Sequence, residues 1–307
     1  RFCQVTGVQT CALPISTPEA GPRAPASAAE TVAARYPRLR YMGSKYALLP
    51  QLERVLGDLA GVTVADPFSG SGVVSYLAHT MGREVWASDY LAFPCVLTRA
   101  TAANDGVRLS EEDLNELLGP NRDGRSYISQ TYSGILFTPE DLAVLDSAWS
   151  VLAAWEGTRR DLAIASLILA AVRKQPRGVF TVTAPHYPAY DDGRRQLRMP
   201  LCEHITEAAR DWNRAVLDGG ARTRVRRGPA EEAPQGADVV YLDPPYAPPR
   251  DDNDYIKRYW FLEGLADYWD GGRAEIMEST VTRKLPKRPT PFGSRRTISA
   301  KDRKSVV

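Results

Sequence analysis

The feature that most constrains the fold is a short apolar run, Val239-Val240-Tyr241-Leu242, that ends directly in Asp243-Pro244-Pro245-Tyr246. A short apolar run bounded by turn residues is typical of a buried strand. Proline has a φ fixed at about −65° and no N–H to donate, so the two prolines end the strand and stiffen the loop. Because ligands bind beyond the carboxyl ends of strands in open α/β sheets, the sequence predicts a cleft at this loop.

The side chains of this loop suit a planar amine. The Asp243 carboxylate and the Pro244 carbonyl offer two acceptors, and Tyr246 offers a flat apolar face. Acceptors that take both hydrogens of an exocyclic NH₂ draw its nitrogen toward tetrahedral geometry and make it nucleophilic. The alternative is that the prolines only end a strand and Tyr246 packs, and a four-residue pattern does not decide between the two.

Composition narrows the class of protein. The 307 residues are 43% hydrophobic and 25% charged, which is ordinary for one large globular domain or one domain with an insertion. The formal net charge of +2 gives no global basic field, so any nucleic-acid surface must be local. No apolar run approaches a membrane span. Of the 4 cysteines, Cys3 and Cys11 lie in the N-terminal segment discussed next, and Cys95 and Cys202 have no metal-like spacing, which predicts a reduced cytoplasmic protein without a disulfide framework or a metal site.

Both ends resemble translated sequencing-adapter sequence, at residues 5–15 and 302–307. We therefore expect residues 1–16 and 302–307 to lie outside the fold, and the gene to have been cut at both ends. Residues 17–35 are rich in Ala and Pro, which predicts a flexible lead-in.

Two further strands end in residues that suit a cofactor. Val62-Thr63-Val64-Ala65 leads into Asp66-Pro67-Phe68-Ser69-Gly70-Ser71-Gly72, and a helix is predicted from Val73. The Gly-x-Gly turn lets a ligand approach the backbone closely, and the Asp66 charge favours a ligand with an ammonium and a sulfonium over a pyrophosphate. The strand at 84–88 ends at Asp89, which is placed to accept hydrogen bonds from ribose hydroxyls. Helix capping is the alternative role of each aspartate.

A loop nearer the N-terminus adds to this site. Tyr41-Met42-Gly43-Ser44-Lys45 precedes an amphipathic helix predicted at about 46–59. Lys45 could hold a carboxylate and Tyr41 could pack on a ligand, although such a loop can equally be an ordinary turn.

The middle of the chain is predicted to be mostly helical, and the end basic. Helical spacing predicts helices at 111–118, 139–155, 161–172 and 202–217, which we interpret as an insertion that packs on the core or contacts a large substrate. Residues 222–227 predict a basic strand. Residues 250–268 mix charged and aromatic side chains and 273–296 are basic, which predicts a surface that attracts phosphates and stacks bases, or a solvated face.

From about residue 40 to 298, the order of these motifs resembles the Dam-type (class alpha) family of DNA adenine methyltransferases. The resemblance implies a Rossmann-like α/β sheet with a mostly helical insertion. It also implies transfer of a methyl group from S-adenosyl-L-methionine to N6 of adenine in double-stranded DNA, with the adenine flipped out. With Asp66 from the argument above, the expected cofactor-binding residues are Tyr41, Lys45, Asp66, Phe68, Gly70, Gly72, Asp89 and Asp243. The expected catalytic residues are Asp243, Pro244 and Tyr246, and a cognate restriction nuclease is a possible partner.

The chain departs from the family pattern at two points. The family commonly carries an acid before the catalytic strand that contacts the cofactor's adenine, whereas this chain has Gly228-Pro229-Ala230, with Glu231 or Glu232 as substitutes. The family also continues past residue 298. We therefore expect a sheet that is incomplete at the C-terminus, with exposed apolar surface and an unpaired edge.

These expectations divide the chain into five segments and leave three alternatives open. The predicted segments are a lead-in (1–35), a cofactor-binding part (36–104), a helical target-recognition region (105–221), a catalytic and basic part (222–301) and a tail (302–307). The alternatives are the same chemistry on cytosine or RNA, a fragment that binds cofactor and nucleic acid without catalysis, and methylation of a protein side-chain amide. The last is disfavoured because that family has Asn where this chain has Asp243 and lacks the large basic insertion.

Overall fold

A four-stranded parallel sheet positions the site. The computed structural model describes residues 26–176, 180, 193–219, 222–245, 255–288, 290 and 292. The strand order is β3-β2-β1-β4, with all described pairs parallel. The strands are β1 (Thr63–Asp66), β2 (Glu84–Asp89), β3 (Thr223–Arg227) and β4 (Val239–Val240). All carboxyl ends therefore meet at one edge, and the predicted Rossmann-like α/β fold is confirmed.

Helices surround this sheet. Their bounds are α1 Ala28–Arg35, α2 Leu49–Asp58, α3 Val73–Thr80, α4 Ala92–Ala100, α5 Glu111–Leu117, α6 Tyr127–Tyr132, α7 Pro139–Leu152, α8 Gly157–Lys174, α9 Arg195–Arg198, α10 Leu201–Ala215 and α11 Tyr255–Gly272. Single turns of 3-10 helix occupy Tyr46–Leu48 and Ala230–Glu232. Each helix predicted from periodicity coincides with an observed one, with ends that differ by a few residues. No helix in this described part is long and apolar enough to cross a membrane.

The prediction of a flexible lead-in is wrong for residues 28–35, which form α1. Ser27 Oγ accepts a hydrogen bond from the Glu30 N–H at 3.2 Å, and the Glu30 carboxylate accepts from the Ser27 N–H at 3.0 Å. This reciprocal cap satisfies two N–H groups that a helix start leaves without a partner. Val32 is fully buried, and the Glu53 carboxylate accepts from the first two N–H groups of α1. Capping and burial outweigh the low-complexity composition.

The central strands are buried, whereas β4 is an edge strand with one exposed face. Val64 and Val85 are 1% and 0% exposed, because helices α3 and α4 pack on β1 and β2. Val240 and Leu242 are 56% and 66% exposed. The prediction that the whole 239–242 run is buried is therefore wrong, since nothing in the described part of the chain covers this face. Exposed apolar surface therefore lies on this face of β4.

The helical block shares its core with the sheet domain. Helix α8 is buried along most of its length and packs against both α10 and α4. Tyr76 on α3 donates a hydrogen bond to the Ala215 carbonyl of α10 at 2.6 Å, and Trp212 donates to the Ala165 carbonyl of α8 at 2.9 Å. One continuous hydrophobic cluster contains all these helices. The boundaries of an insertion at 105 and 221 stay predictions.

Helix α11 ends in an unusual turn that fixes its place in the core. Tyr268, Trp269 and Asp270 have φ of 55°, 52° and 51°, in the left-handed region. The turn folds the Trp269 ring back over Gly264, where an added Cβ would lie 2.2 Å from the ring. The Tyr268 hydroxyl donates to Asp146 Oδ1 of α7 at 2.6 Å. These contacts pin α11 to the helical block and set its first turns beside the site.

Candidate active site

The carboxyl ends of the strands open into one cavity of about 460 Å³. Its walls come from the loop at 41–45, the turn at 66–71, the ends of β2 and β3, and the loop after β4. The volume is in the range of about 300–1,000 Å³ that holds drug-sized ligands. The predicted site residues that line it are Tyr41, Lys45, Asp66, Phe68, Gly70, Asp89 and Asp243. Among the described residues, no cluster of His, Cys, Asp or Glu side chains could hold a metal ion.

Two predicted residues do not line the cavity, and a third lies outside the described residues. Gly72 lies at the start of α3, just outside the wall. Pro244, which was predicted to belong to the site, is half-buried and does not line the cavity, whereas the neighbouring Pro245 does. Tyr246 lies outside the described residues, so its stacking role stays a prediction.

The glycine turn depends on backbone conformations that favour glycine. Gly70 and Gly72 have φ of 51° and 78°, in the left-handed region. A Cβ on Gly70 would lie 3.0 Å from the Tyr41 ring, and one on Gly72 would lie 2.6 Å from the Tyr36 hydroxyl. Gly70 therefore lets the Tyr41 loop close on the turn, while Gly72 lets α3 begin against the core.

Asp66 is a buried carboxylate with an unused acceptor. The residue is 1% exposed, and its Oδ2 accepts a hydrogen bond from Ser75 Oγ at 2.7 Å. In the described structure its Oδ1 accepts none. Burial raises the pKa of Asp66 to about 6, despite the opposing Ser75 hydrogen bond. A cationic group in the cavity would satisfy this oxygen and favour the charged carboxylate, so the site fits a ligand that carries an ammonium.

Asp89 joins the end of β2 to the glycine turn. Its Oδ2 accepts from the Gly70 N–H and its Oδ1 from the Leu91 N–H, both at 3.0 Å. Burial raises the pKa of Asp89 to about 7, against the effect of these two bonds. Each carboxylate oxygen keeps further acceptor capacity, which is what a ribose diol needs. Asp89 therefore supports the turn and fits the predicted ribose site.

Two contacts place the loop after β4, which carries Asp243. The Tyr241 N–H donates to the Ala65 carbonyl at 2.8 Å, which aligns the end of β4 with β1. The Asp243 carboxylate forms an ion pair with Lys45 Nζ, and this ammonium also donates to the Gly43 carbonyl at 2.7 Å. In the structure the partner of Lys45 is thus a protein carboxylate, and the prediction that Lys45 holds a carboxylate of the ligand stays a prediction. The Asp243 carboxyl and the glycine turn share one cavity, as the sequence argument required.

Glu263 is the main site residue that the sequence argument missed. It is 1% exposed on α11. Its Oε2 accepts from the Ala92 and Phe93 N–H groups at the start of α4, at 2.7 and 3.3 Å. Its Oε1 accepts from the guanidinium groups of Arg227 and Arg288, at 2.8 and 3.1 Å. The sequence signal that could have identified Glu263 is a single carboxylate within an apolar stretch of a helix. Such a carboxylate is buried with its neighbours, and a buried charge needs partners.

Three cations of the predicted basic surface have protein partners in the structure, and a contact of this surface with DNA stays a prediction. Arg283 donates to the Thr131 carbonyl, Arg288 to Glu263, and Arg273 pairs with Asp270 at 3.2 Å. These cations bind protein partners instead of facing solvent alone. Lys287 is exposed.

The two suggested substitutes for the missing acid differ in place. Glu232 forms an ion pair with Arg226 and does not line the cavity, whereas Glu231 does line it. Glu231 is therefore the candidate of the two for a contact at the cofactor's adenine, and this role stays a prediction.

A parallel sheet that brings a glycine turn, two buried carboxylates and an Asp-Pro-Pro loop to one cavity defines the class of Rossmann-like methyltransferases. The family model described as D12 class N6 adenine-specific DNA methyltransferase matches residues 41–128, which include the Tyr41 loop, the glycine turn and Asp89. The Type II methyltransferase M2.HphI of Haemophilus parahaemolyticus is 27% identical over 253 residues, which cover 78% of this chain and 72% of that protein. No solved structure matches the chain significantly.

These matches confirm the predicted resemblance to the Dam-type family. The chain is therefore similar to adenine-specific DNA methyltransferases, enzymes that act on DNA with a methyl donor.

Proposed function

We propose that the methyl donor is S-adenosyl-L-methionine and that the chain transfers its methyl group to N6 of an adenine turned out of the DNA helix. The observation that carries this proposal is the shared cavity of Asp243 and the glycine turn, with Lys45 bound to the Asp243 carboxylate. When bound, the cofactor supplies an electrophilic methyl group on a sulfonium. Asp66 fits its ammonium, Asp89 its ribose hydroxyls, and Gly70 leaves room for its approach.

The residues of this chain then position the nucleophile. An adenine amine is unreachable in the stacked duplex, so the base must leave the stack. Asp243 and the Pro244 carbonyl accept its two amine hydrogens, and Tyr246 stacks on the ring. Lys45 keeps the Asp243 carboxylate turned into the cavity. Positioning and fixed charges supply most of the rate, and a metal ion has no role in this scheme. A cognate restriction nuclease stays a prediction.

The test is the identity of the methylated nucleoside and its dependence on Asp243. Unmethylated DNA and RNA are incubated with tritiated cofactor and digested to nucleosides. We expect N6-methyladenine from DNA alone. Asp243→Ala is expected to lower turnover at least about 100-fold, because it removes the acceptor for the amine. The affinity for S-adenosylhomocysteine, measured by calorimetry, should change little.

The control is Asp270→Asn, because Asp270 is an exposed carboxylate whose partner Arg273 lies outside the cavity wall, and asparagine tolerates the left-handed backbone at this position. Wild-type-like turnover of Asp243→Ala contradicts the role of Asp243. Product N4-methylcytosine or methylated RNA contradicts the substrate. Cofactor binding without any methyl transfer by the wild type supports the non-catalytic alternative.

A further inference from the structure

A segment after α11 runs from the helical block to the active-site cavity. Its described residues are 283–288, 290 and 292, and we call them the strap. The strap starts at α6, where the Tyr132 hydroxyl donates to the Arg283 carbonyl at 3.3 Å, and Leu285 is buried in the core. It ends where the ring of Phe292 meets the ring of Phe68 edge to face, with centroids 5.0 Å apart. Arg288, Thr290 and Phe292 all line the cavity. The strap thus forms part of the cavity wall, next to the Phe68 turn.

Between its two ends the strap is held by one buried carboxylate. Glu263 Oε1 accepts from Arg288 on the strap and from Arg227 at the end of β3. The other oxygen of Glu263 accepts from the first N–H groups of α4, which the helix start leaves without partners of its own. Asp89 lies three residues before α4, and its Oδ1 accepts from Leu91, directly before that helix. A single side chain therefore joins the strap, β3 and the loop that carries Asp89.

We propose that Glu263 is a positioning residue for methyl transfer: through Arg288 it latches the strap onto the cavity, and through α4 it fixes the Asp89 loop. This inference rests on the proposed function, because it needs a cofactor in the cavity. With the latch made, Thr290 and Phe292 stay against the Phe68 turn and slow the release of bound cofactor. Glu263 acts through Arg288 and Asp89 and does not itself line the cavity.

The two ends of the latch differ in what their removal does to the fold. Glu263 is buried, so its substitution leaves two guanidinium groups and the start of α4 without their acceptor and can unfold the protein. The Arg288 side chain is 48% exposed, so its substitution opens the latch while the core stays intact. Arg288 is therefore the informative position, and Glu263 supports it through a double-mutant cycle.

The experiment compares Arg288→Gln with wild type in three measurements. These are the Kd for S-adenosylhomocysteine by calorimetry, its dissociation rate by stopped-flow fluorescence, and KM and kcat for DNA methylation. We expect Kd, dissociation rate and cofactor KM to rise about tenfold, with kcat and Tm little changed. Arg288→Lys should recover most of the affinity because it restores a cation opposite Glu263. A purely structural role would lower Tm and leave the ratio of KM to kcat unchanged.

The matched control is Arg273→Gln, which removes another arginine of the same region whose partner is the local Asp270. It should bind and turn over like wild type. In a Glu263→Gln background, Arg288→Gln should add little further loss if both residues act through one contact. If Glu263→Gln does not fold, the Arg288 series decides alone.

Two failures are kept apart by the wild type. If the wild type does not bind the cofactor or does not methylate DNA, the proposed function is contradicted. A wild type that does both, with Arg288→Gln equal to it in Kd, dissociation rate and KM, overturns the latch alone.

Discussion

The active site has a half with the predicted cofactor-binding residues and a half with Asp243, and the fold holds the first half more firmly than the second. The cofactor half rests on central strands, and its carboxylates Asp66 and Asp89 are 1% and 6% exposed. The catalytic half follows a strand of two residues at the sheet edge, and the Asp243 side chain is 25% exposed. The first half is held by the core, and the second by the Lys45 ion pair and a few backbone contacts. Changes in the cofactor half should therefore alter stability and affinity, and changes in the catalytic half mainly turnover.

The largest effect on stability is expected from Gly72→Ala in the cofactor half. A residue other than glycine is strained at a φ of 78°, and its Cβ would lie 2.6 Å from the Tyr36 hydroxyl. We expect a loss of about 3 kcal/mol of unfolding free energy, measured by urea denaturation. The control is Gly57→Ala on α2, where the nearest atom to a new Cβ is 3.9 Å away. It should stabilise the protein by up to about 1 kcal/mol. Equal unfolding free energies of the two variants would contradict the expectation that the core holds the cofactor half.

Asp66→Asn is expected to lower cofactor affinity by a factor of about 10 to 100 at pH 8, because a charged acceptor for an ammonium is lost. In the wild type, affinity should fall as the pH drops through about 7 and about 6, where Asp89 and Asp66 take up protons. The component near pH 6 should vanish in Asp66→Asn. Calorimetry from pH 8 to pH 5 measures both. Affinity that is independent of pH in the wild type would contradict the assignment.

The raised pKa of Asp66 makes the stability of the unliganded protein change with pH in the opposite direction from the cofactor affinity. The pKa of Asp66 is about 6 in the folded state, against an ordinary value of 3.8 for an aspartate, so between these values the folded state binds a proton that the unfolded state does not. The contribution of Asp66 to stability therefore rises as the pH falls from about 6 toward 4, while cofactor affinity falls.

Lys45→Met tests the catalytic half. It leaves the Asp243 carboxylate without its ammonium partner, so the carboxylate is less well placed for the amine. We expect single-turnover methylation to slow about tenfold, with cofactor affinity changed less. Lys45→Arg should recover part of the rate, because a cation returns. A loss confined to cofactor affinity would assign Lys45 to the other half.

Asp238→Asn should have the smallest effect. Asp238 Oδ2 accepts from the Val62 and Thr63 N–H groups and from Thr63 Oγ1, which braces the start of β4 against β1. The Thr63 and Val62 hydrogen bonds lower the pKa of Asp238, so its contribution is present at neutral pH and is lost only as the pH falls through that lowered pKa. We expect a slight decrease in Tm and in turnover, with Asp270→Asn as control. A large loss of cofactor affinity would show that β4 supports both halves.

Local patterns carried much of the prediction. The turn through Gly70 and Gly72 and the Asp243-Pro244-Pro245 corner were predictable because φ restrictions act within a few residues. Glu263 was not predictable as a latch, since its partners Ala92 and Phe93 are 171 and 170 positions away. Arg288 was assigned to the basic surface because the sequence does not show which carboxylate an arginine pairs with in the fold.

The sequence by itself determined where strands end, where backbones must turn and which acids stand at those ends, because these features follow from the conformational limits of single residues and from short periodicities. The tertiary structure alone decided that Lys45 meets Asp243, that one buried glutamate ties a strap to the cofactor loop, and that β4 has a bare face. These depend on which distant segments the packed core brings within hydrogen-bonding distance, and no local pattern encodes that choice.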